Sequence, residues 1–184
     1  MDFHTHNLNA EPGTAIVNLP EVALLYPDEF ELVEGGLYSA GVHPWWTSGD
    51  LHRLWSGLEY WANHPQVVAV GECGLDKLKG AALDLQKEIF KRQLLLAEHL
   101  SKPVTIHCVK AFDQLLSIRK TMQLSVLWTV HGFRGKPELA KQLLAAGFNL
   151  SFGTRYNAES YALTPADRRY RETDEDYDGR KLFL

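Results

Sequence analysis

The stretch VVAVGE, residues 67–72, joins an apolar run to a carboxylate and decides the fold class. Its unbroken apolar residues predict a strand buried on both faces, which is typical of a parallel sheet covered by helices. Similar runs ending in polar residues recur along the chain. They are TAIVN at 14–18, LYSAGVH at 37–43, PVTIH at 103–107, VLWTVH at 126–131 and FNLSF at 148–152.

Helical patterns separate these runs. In residues 84–100 the apolar side chains recur at a spacing that covers one helix face, and Pro103 ends the pattern. We predict further helices at 51–63, 112–122 and 137–146. Added strands at 2–6 and 171–174 bring the total to about eight, the number in a closed TIM-like (β/α) barrel. The alternation of strand and helix therefore indicates an α/β fold of this kind.

The chain is short for such a barrel. It has 184 residues, whereas a (β/α) barrel typically takes about 250. Residues 7–13 between the first two predicted strands are too few for a covering helix, and few residues follow the last strand. We expect a single domain, 1–184, with a reduced or distorted barrel, short first crossovers and a missing or short C-terminal helix. A flatter doubly wound sheet is the structural alternative.

Composition limits the partners and the compartment. Lys and Arg total 19 against 23 Asp and Glu, a net charge of −4, so the chain lacks the basic excess of proteins that coat DNA. A local site must supply positive charge if the protein handles nucleic acid. The 2 cysteines offer no disulfide framework. No secretory signal stands out, and no apolar run approaches the roughly 20 residues of a membrane span. We expect a cytoplasmic protein with no membrane partner.

Metal-competent side chains lie at the ends of the predicted strands, where catalytic groups of α/β sheets collect. His4 and His6 stand two positions apart in a strand and point to the same face. Glu72 ends a buried run between glycines, and a buried carboxylate needs a partner or a metal. The other candidates are His43, His107, His131 and Asp174. Each alone fits a packed or solvated residue, but several strands ending this way favour a metal centre.

Other titratable residues receive no role in this hypothesis. Cys73 and Cys108 follow their neighbouring candidates and point the opposite way, as small buried residues. Three histidines in or at the ends of predicted helices likewise receive no role, and neither do the two residues next to Asp174. They are His52, His64, His99, Glu172 and Thr173.

Histidines and carboxylates in these numbers can build a two-metal site. Imidazole with carboxylate suits Zn, Mn, Fe or Ni, and Mg is possible where oxygen ligands dominate. Two ions about 3.5–4 Å apart stabilise the attacking and leaving oxygens of a phosphoryl displacement. They also lower the pKa of a bound water to about 7. Such a site would give an acidic protein a local positive charge for a phosphodiester.

The sequence resembles the TatD family of metal-dependent DNases, within the amidohydrolase-like superfamily. The matching segments follow the family's order. They are DFHTH at 2–6, GVHPW at 41–45, VVAVGECGLD at 67–76, FKRQLLLAEHLSKPVTIHCVKAF at 90–112, HGFRGKPELAKQLLAAGFNLSFG at 131–153 and ETDED at 172–176. The resemblance implies a (β/α) barrel that hydrolyses phosphodiester bonds in DNA with two divalent metal ions, Mg, Mn or Zn.

The resemblance also implies a role for each ligand. One ion would be held by His4, His6, Glu72 and Asp174. Glu72 would bridge to a second ion held by His107 and His131. Asp174 would in addition orient or deprotonate the attacking water, so Glu72 and Asp174 are the catalytic candidates.

The residues expected to contact the substrate depart from the family's pattern. The family often has HPH where this chain has HPW at 43–45, and aromatic residues where Lys77 follows GLD. Lys110 stands where an Arg is common, and it could contact a phosphate as a point charge. The substrate-binding candidates are His43, Lys110 and Arg134.

Three aromatic residues lie beside the predicted mouth of the barrel and could stack on a base or pack at the rim: Trp45, Trp46 and Phe133.

The leading hypothesis is a DNase that acts on ends or single strands of DNA. One alternative is a hydrolase of a small phosphoester, amide or lactone on the same metal centre. Another is a non-catalytic metal-binding module, which the short C-terminus and Trp45 favour. The sequence leaves the metal, the cleavage polarity and the oligomeric state open.

Overall fold

The computed structural model describes residues 1–174, and eight parallel strands in this part of the chain form one sheet in sequence order. The strands are β1 (Asp2–Thr5), β2 (Ala15–Asn18), β3 (Leu37–Ala40), β4 (Val67–Asp76), β5 (Val104–Val109), β6 (Trp128–Val130), β7 (Phe148–Phe152) and β8 (Arg169–Arg171). The helices are α1 (Glu21–Leu25), α2 (Leu51–Ala62), α3 (Leu83–Leu100), α4 (Phe112–Thr121), α5 (Pro137–Ala145) and α6 (Ala158–Leu163). None of these helices is both long and apolar enough to cross a bilayer.

The sheet curls until β8 lies beside β1. Beyond β8, the backbone N–H of Asp174 donates to the carbonyl of His4 at 3.1 Å. The Thr173 hydroxyl donates to Asp2 Oδ2 at 2.6 Å, which ties the two edges further. With neighbouring strands parallel and in sequence order, this is a nearly closed barrel rather than a doubly wound sheet. The predicted TIM-like fold is confirmed.

The first crossovers are short, as predicted. No helix lies between β1 and β2 among the described residues, and α1, which follows β2, has 5 residues. The predicted shortage of helix at the C-terminus concerns residues 175–184, which lie outside the described part of the chain.

Two apolar clusters hold the helices on the barrel. In the first, fully buried Phe90 of α3 packs with Trp128 of β6 and Phe148 of β7. In the second, Leu54 and Leu58 of α2 pack toward β2 and β3. Each such side chain contributes roughly 1.5–3 kcal/mol on burial. The clusters therefore fix the strand ends that carry the polar candidates.

Among the strand boundaries that differ from the predicted ones, two affect the site. β4 continues past Glu72 to Asp76 because its pairing with β5 extends to the Asp76–Val109 register. β8 ends at Arg171, where its pairing with β7 ends. The carboxylates of the ETD segment consequently follow the last strand instead of lying within it.

Candidate metal centre

The barrel brings six predicted ligands together at the carboxyl ends of its strands. His4 lies in β1, Glu72 in β4 and His107 in β5. His6, His131 and Asp174 directly or closely follow the ends of β1, β6 and β8. Because parallel strands of a barrel end at one mouth, residues distant in sequence converge there.

One oxygen of Glu72 faces histidines from β1. The Nε2 atoms of His4 and His6 each lie 3.3 Å from Glu72 Oε2 and 3.7 Å from Asp174 Oδ1. Four ligand atoms with bonds of about 2.1 Å to a tetrahedral ion stand roughly 3.4 Å apart. These four separations lie near that spacing, and the ligand atoms of His4, His6 and Glu72 all lie within 4.8 Å of one another, so these three side chains fit a divalent ion, with Asp174 beside them.

The other oxygen of Glu72 faces different histidines. His107 Nδ1 and His131 Nε2 each lie 2.7 Å from Oε1, and His43 Nε2 lies 3.1 Å from it. Glu72 is only 2% exposed. Burial raises the pKa of this carboxyl, but the charge of His131 and hydrogen bonds from His107 and His131 bring it well below its ordinary value. Glu72 is therefore a carboxylate at neutral pH, with each oxygen available to a different ion.

The imidazoles differ in their protonation. Burial lowers the pKa of His4 and of His43, so both are neutral at pH 7 with lone pairs available to a metal. Burial also lowers the pKa of His131, but the charges of Glu72 and Glu172 outweigh it and hold that pKa well above the ordinary value. In the metal-free protein His131 carries a proton, which an arriving cation must displace.

The donor set suits a metal better than a network of hydrogen bonds. Five imidazole nitrogens surround a single carboxylate, which accepts about four hydrogen bonds, so hydrogen bonds to Glu72 cannot satisfy all of them. Ligand atoms within 4.8 Å of one another form three groups among residues 1–174: His4, His6 and Glu72; His4, His131 and Asp174; and His43, Glu72 and His107. His43, which the sequence suggested as a substrate contact, thus lies among possible ligands.

A carboxylate that the sequence analysis did not single out lies behind His107. Asp76 Oδ2 is 3.1 Å from His107 Nε2, on the ring edge opposite Glu72. Its Oδ1 accepts backbone N–H groups of Leu78 and Lys79 at 2.7 and 3.2 Å. Burial raises the pKa of Asp76, but hydrogen bonds from Trp45, Leu78 and His107 outweigh it, so the pKa lies below its ordinary value. The ionised carboxylate favours a proton on Nε2, which leaves Nδ1 free for a metal.

Glu172 plays the same part for His131, although the sequence analysis gave it no role. Its Oε1 lies 3.4 Å from His131 Nδ1 and accepts the Gly132 N–H at 2.6 Å. Spacing offered a signal for both carboxylates, since residues two or four apart in an extended chain share a face. Asp76 stands in this relation to Glu72, and Glu172 to Asp174.

Two connected cavities open at the mouth. A cavity of about 240 Å³ is lined by all of the predicted ligands except His4, together with His43, Trp45 and Trp46. A larger one, of about 730 Å³, shares Trp45 and His107 with it and extends to Lys110 and Arg134. Both cations are exposed. Phe133 is 1% exposed and packs in the core, so it offers no face for stacking.

Comparison with known sequences identifies relatives of this chain. A family model described as TatD related DNase matches residues 29–181. The 3'-5' ssDNA/RNA exonuclease TatD of Erwinia billingiae is 37% identical over 151 residues, which cover 76% of this chain and 57% of the relative. The uncharacterized metal-dependent hydrolase YabD of Bacillus subtilis is 36% identical over 120 residues, covering 60% of this chain and 47% of the relative. The matches thus span about half the length of these curated relatives.

Solved structures share the fold. YJJV, a TatD homolog from Escherichia coli, superimposes with a TM-score of 0.75 at 23% identity, covering 94% of this chain and 78% of that one. A TatD family hydrolase from Entamoeba histolytica gives 0.67 at 23% identity, covering 87% and 60%. From the extent of the family match, the chain belongs to the TatD related DNase family.

Proposed function

We propose that this chain is a divalent-metal-dependent phosphodiesterase that hydrolyses single-stranded nucleic acid, DNA foremost, by two-metal activation of water. The observation that carries the proposal is the buried Glu72 carboxylate, whose two oxygens face separate groups of metal-competent atoms. Relatives named as nucleases acting on single-stranded DNA and RNA support the substrate class.

Each ion would have its own ligands. Glu72 Oε2 would hold the first with His4, His6 and Asp174. Glu72 Oε1 would hold the second with His107 and His131, and His43 lies close enough to this oxygen to join them. Bound there, Mn, Mg or Zn would supply hydroxide at neutral pH and stabilise charge on the phosphate.

The side chains around the ligands orient the reactants. Asp174 is 30% exposed at its side chain, so it faces both the ligands and the cavity, and it would orient the attacking water and accept its proton. Lys110 and Arg134 would bind the flanking phosphates and supply the positive charge that the chain as a whole lacks.

A second candidate is the hydrolysis of a small phosphoester. The cavity that holds the ligands measures about 240 Å³, slightly below the roughly 300–1,000 Å³ of typical small-molecule sites. A compact monoester would fill it without using the larger cavity.

A cytoplasmic location is also part of the proposal. It is supported by cysteines that are free rather than paired, as in a reducing compartment.

The test uses a labelled single-stranded oligonucleotide and p-nitrophenyl phosphate as parallel substrates, with Mn, with Mg and with chelator. We expect metal-dependent release of nucleotides that chelator abolishes. The His107→Ala variant should lose nearly all activity while remaining folded, and His52→Ala, an exposed position on α2, should not. Turnover of the monoester alone would favour the second candidate. Equal inertness of wild type and His107→Ala with every metal would indicate a non-catalytic metal-binding module.

A further inference from the structure

We propose that Trp45 is a nucleobase platform beside the metal centre, on which an unpaired base next to the cleaved phosphodiester stacks. The inference rests on the proposed function, because a nucleic-acid substrate is what brings a base to this position. It adds a binding subsite for the base to a centre that otherwise recognises only phosphate and metal.

Trp45 is held in place from several directions. Its indole Nε1–H donates to Asp76 Oδ2 at 2.6 Å, and its backbone N–H donates to His43 Nδ1 at 3.2 Å. The Lys79 Nζ lies over one face of the ring, 3.8 Å from its centroid, so a base would stack on the other face. A ring fixed before substrate arrives loses little conformational freedom on binding, which favours affinity.

The indole is nevertheless open to solvent. Trp45 is 44% exposed, although the ring is large and apolar. It meets the rings of His43 and His107 edge to face, with centroids 4.8 and 5.8 Å away. These contacts fix the orientation of the ring and still leave much of it exposed beside the candidate ligands.

The position of the ring matches the path of a nucleic-acid strand. Among the Trp and Phe residues that line the two cavities in the described chain, Trp45 alone lines both. It therefore lies between the ligands and the side where Lys110 and Arg134 would hold phosphates. A strand whose phosphate enters the metal centre would bring an adjoining base over the indole.

Stacking on this ring predicts a particular specificity. An aromatic platform contacts the π-face that every base has, so it discriminates weakly between bases. Bases paired in a duplex keep their own stacking partners and cannot lie on the ring. The subsite would thus select single strands with little regard to sequence.

The experiment compares Trp45→Ala with wild type on short oligonucleotides, each with and without one abasic site at the nucleotides flanking the scissile bond. We expect the substitution to raise KM about tenfold on the intact oligonucleotide. When the flanking base is absent, the penalty should shrink to about twofold, since the ring has lost its partner. Trp45→Phe keeps a ring and should recover most of the affinity.

Two comparisons make the result decisive. Tyr60→Ala removes another exposed aromatic, 52% exposed and outside both cavities, and should behave as wild type on every substrate. An equal penalty for Trp45→Ala on intact and abasic oligonucleotides would overturn the inference, because Trp45 would then act only by supporting Asp76 and His107.

A binding measurement separates this inference from the proposed function. Titrating the chelator-treated protein with oligonucleotide should quench tryptophan emission, and Trp45→Phe should remove that quenching. Trp45-dependent quenching without hydrolysis under any metal would sustain the subsite and refute the nuclease. Hydrolysis with neither quenching nor dependence on the flanking base would refute the subsite alone.

Discussion

Glu72 is the residue on which the proposed centre depends most. It is a buried, ionised carboxylate whose two oxygens contact imidazoles from four different strand ends or their loops. An unpaired charge in such a place would be costly. Cations held between the carboxylate and the imidazoles would offset that cost, and the residues behind the candidate ligands would determine which ring nitrogen is available to them.

Asp76 provides the first test at this scale. The Asp76→Asn variant removes the charge that favours a proton on His107 Nε2, so we expect Mn affinity to fall about 10–100-fold. Isothermal titration calorimetry measures it directly. The matched control is Asp113→Asn, whose side chain is 69% exposed and pairs with Lys77 away from the ligands. Equal Mn affinities in the two variants would show that the contact with His107 does not matter.

The buried histidines predict how stability depends on pH in the metal-free protein. His4 and His43 have lowered pKa values, so below their ordinary 6.5 the unfolded chain binds more protons and stability falls with acidification. Glu72, also lowered, adds to this fall below about pH 4.5. The pKa of His131 is raised, so its contribution is complete below 6.5 and is lost as pH rises through its folded pKa.

We therefore expect the melting temperature of chelator-treated protein to peak near pH 6.5 and to decline on both sides. Thermal denaturation followed by circular dichroism across pH 4–9 gives the profile. His131→Gln should flatten the alkaline decline and keep the acidic one. An unchanged alkaline decline in that variant would show that His131 is not the group responsible.

Sequence reasoning identified the side chains that the barrel brings together and missed the residues behind them, for a physical reason. His107 and His131 each close an apolar run, and that signal can be seen along the chain. Asp76 and Glu172 matter because of what they touch across strands. Such contacts depend on register, and the sequence alone did not reveal that β4 extends to Asp76.

At the scale of elements, a side chain of α3 holds the loop that follows β4 through hydrogen bonds. Gln86, buried in α3, accepts the Asp76 N–H at 2.8 Å and donates to the carbonyls of Asp76, Lys79 and Ala81. One side chain thus closes the loop that carries both Asp76 and the lysine over Trp45. The helix links the apolar core to the outer support of the metal centre.

Replacing this side chain should loosen the loop. We expect Gln86→Ala to lower the free energy of unfolding by about 1–3 kcal/mol, because it leaves buried backbone groups without partners. Urea denaturation measures the loss. Gln142→Ala, at an exposed position of α5, is the control and should stay within about 0.5 kcal/mol of wild type. A Gln86→Ala protein as stable as the control would contradict this account of the loop.

Helices were predicted correctly where they are long enough to show an apolar repeat in the sequence. Helices α2 to α5 have 9 to 18 residues and carry an apolar face. Helices α1 and α6 have 5 and 6 residues, too few for a repeat, and they were not predicted. Tertiary contacts rather than local pattern determine such short helices.

For the whole molecule, the barrel is what makes the ligands neighbours. His4 and Asp174 lie at opposite ends of the described chain, yet closure of β8 on β1 brings His4 Nε2 within 3.7 Å of Asp174 Oδ1. The order of apolar runs predicted this architecture. The reduced first crossovers followed from counting the residues between those runs.

Metal binding should consequently stabilise the whole fold. We expect Mn at about 100 times its Kd to add about 2.7 kcal/mol to the free energy of unfolding. Differential scanning fluorimetry with and without Mn would show the rise in melting temperature. Glu72→Gln should abolish the rise, whereas Glu88→Gln, exposed on α3, should keep it. A rise of equal size in both variants would mean that Mn binds elsewhere.

Anomalous diffraction from crystals soaked in Mn tests the central claim most directly. The account predicts two peaks about 3.5–4 Å apart at the mouth of the barrel, one on each side of the Glu72 carboxylate. A single peak there, or none, would contradict it.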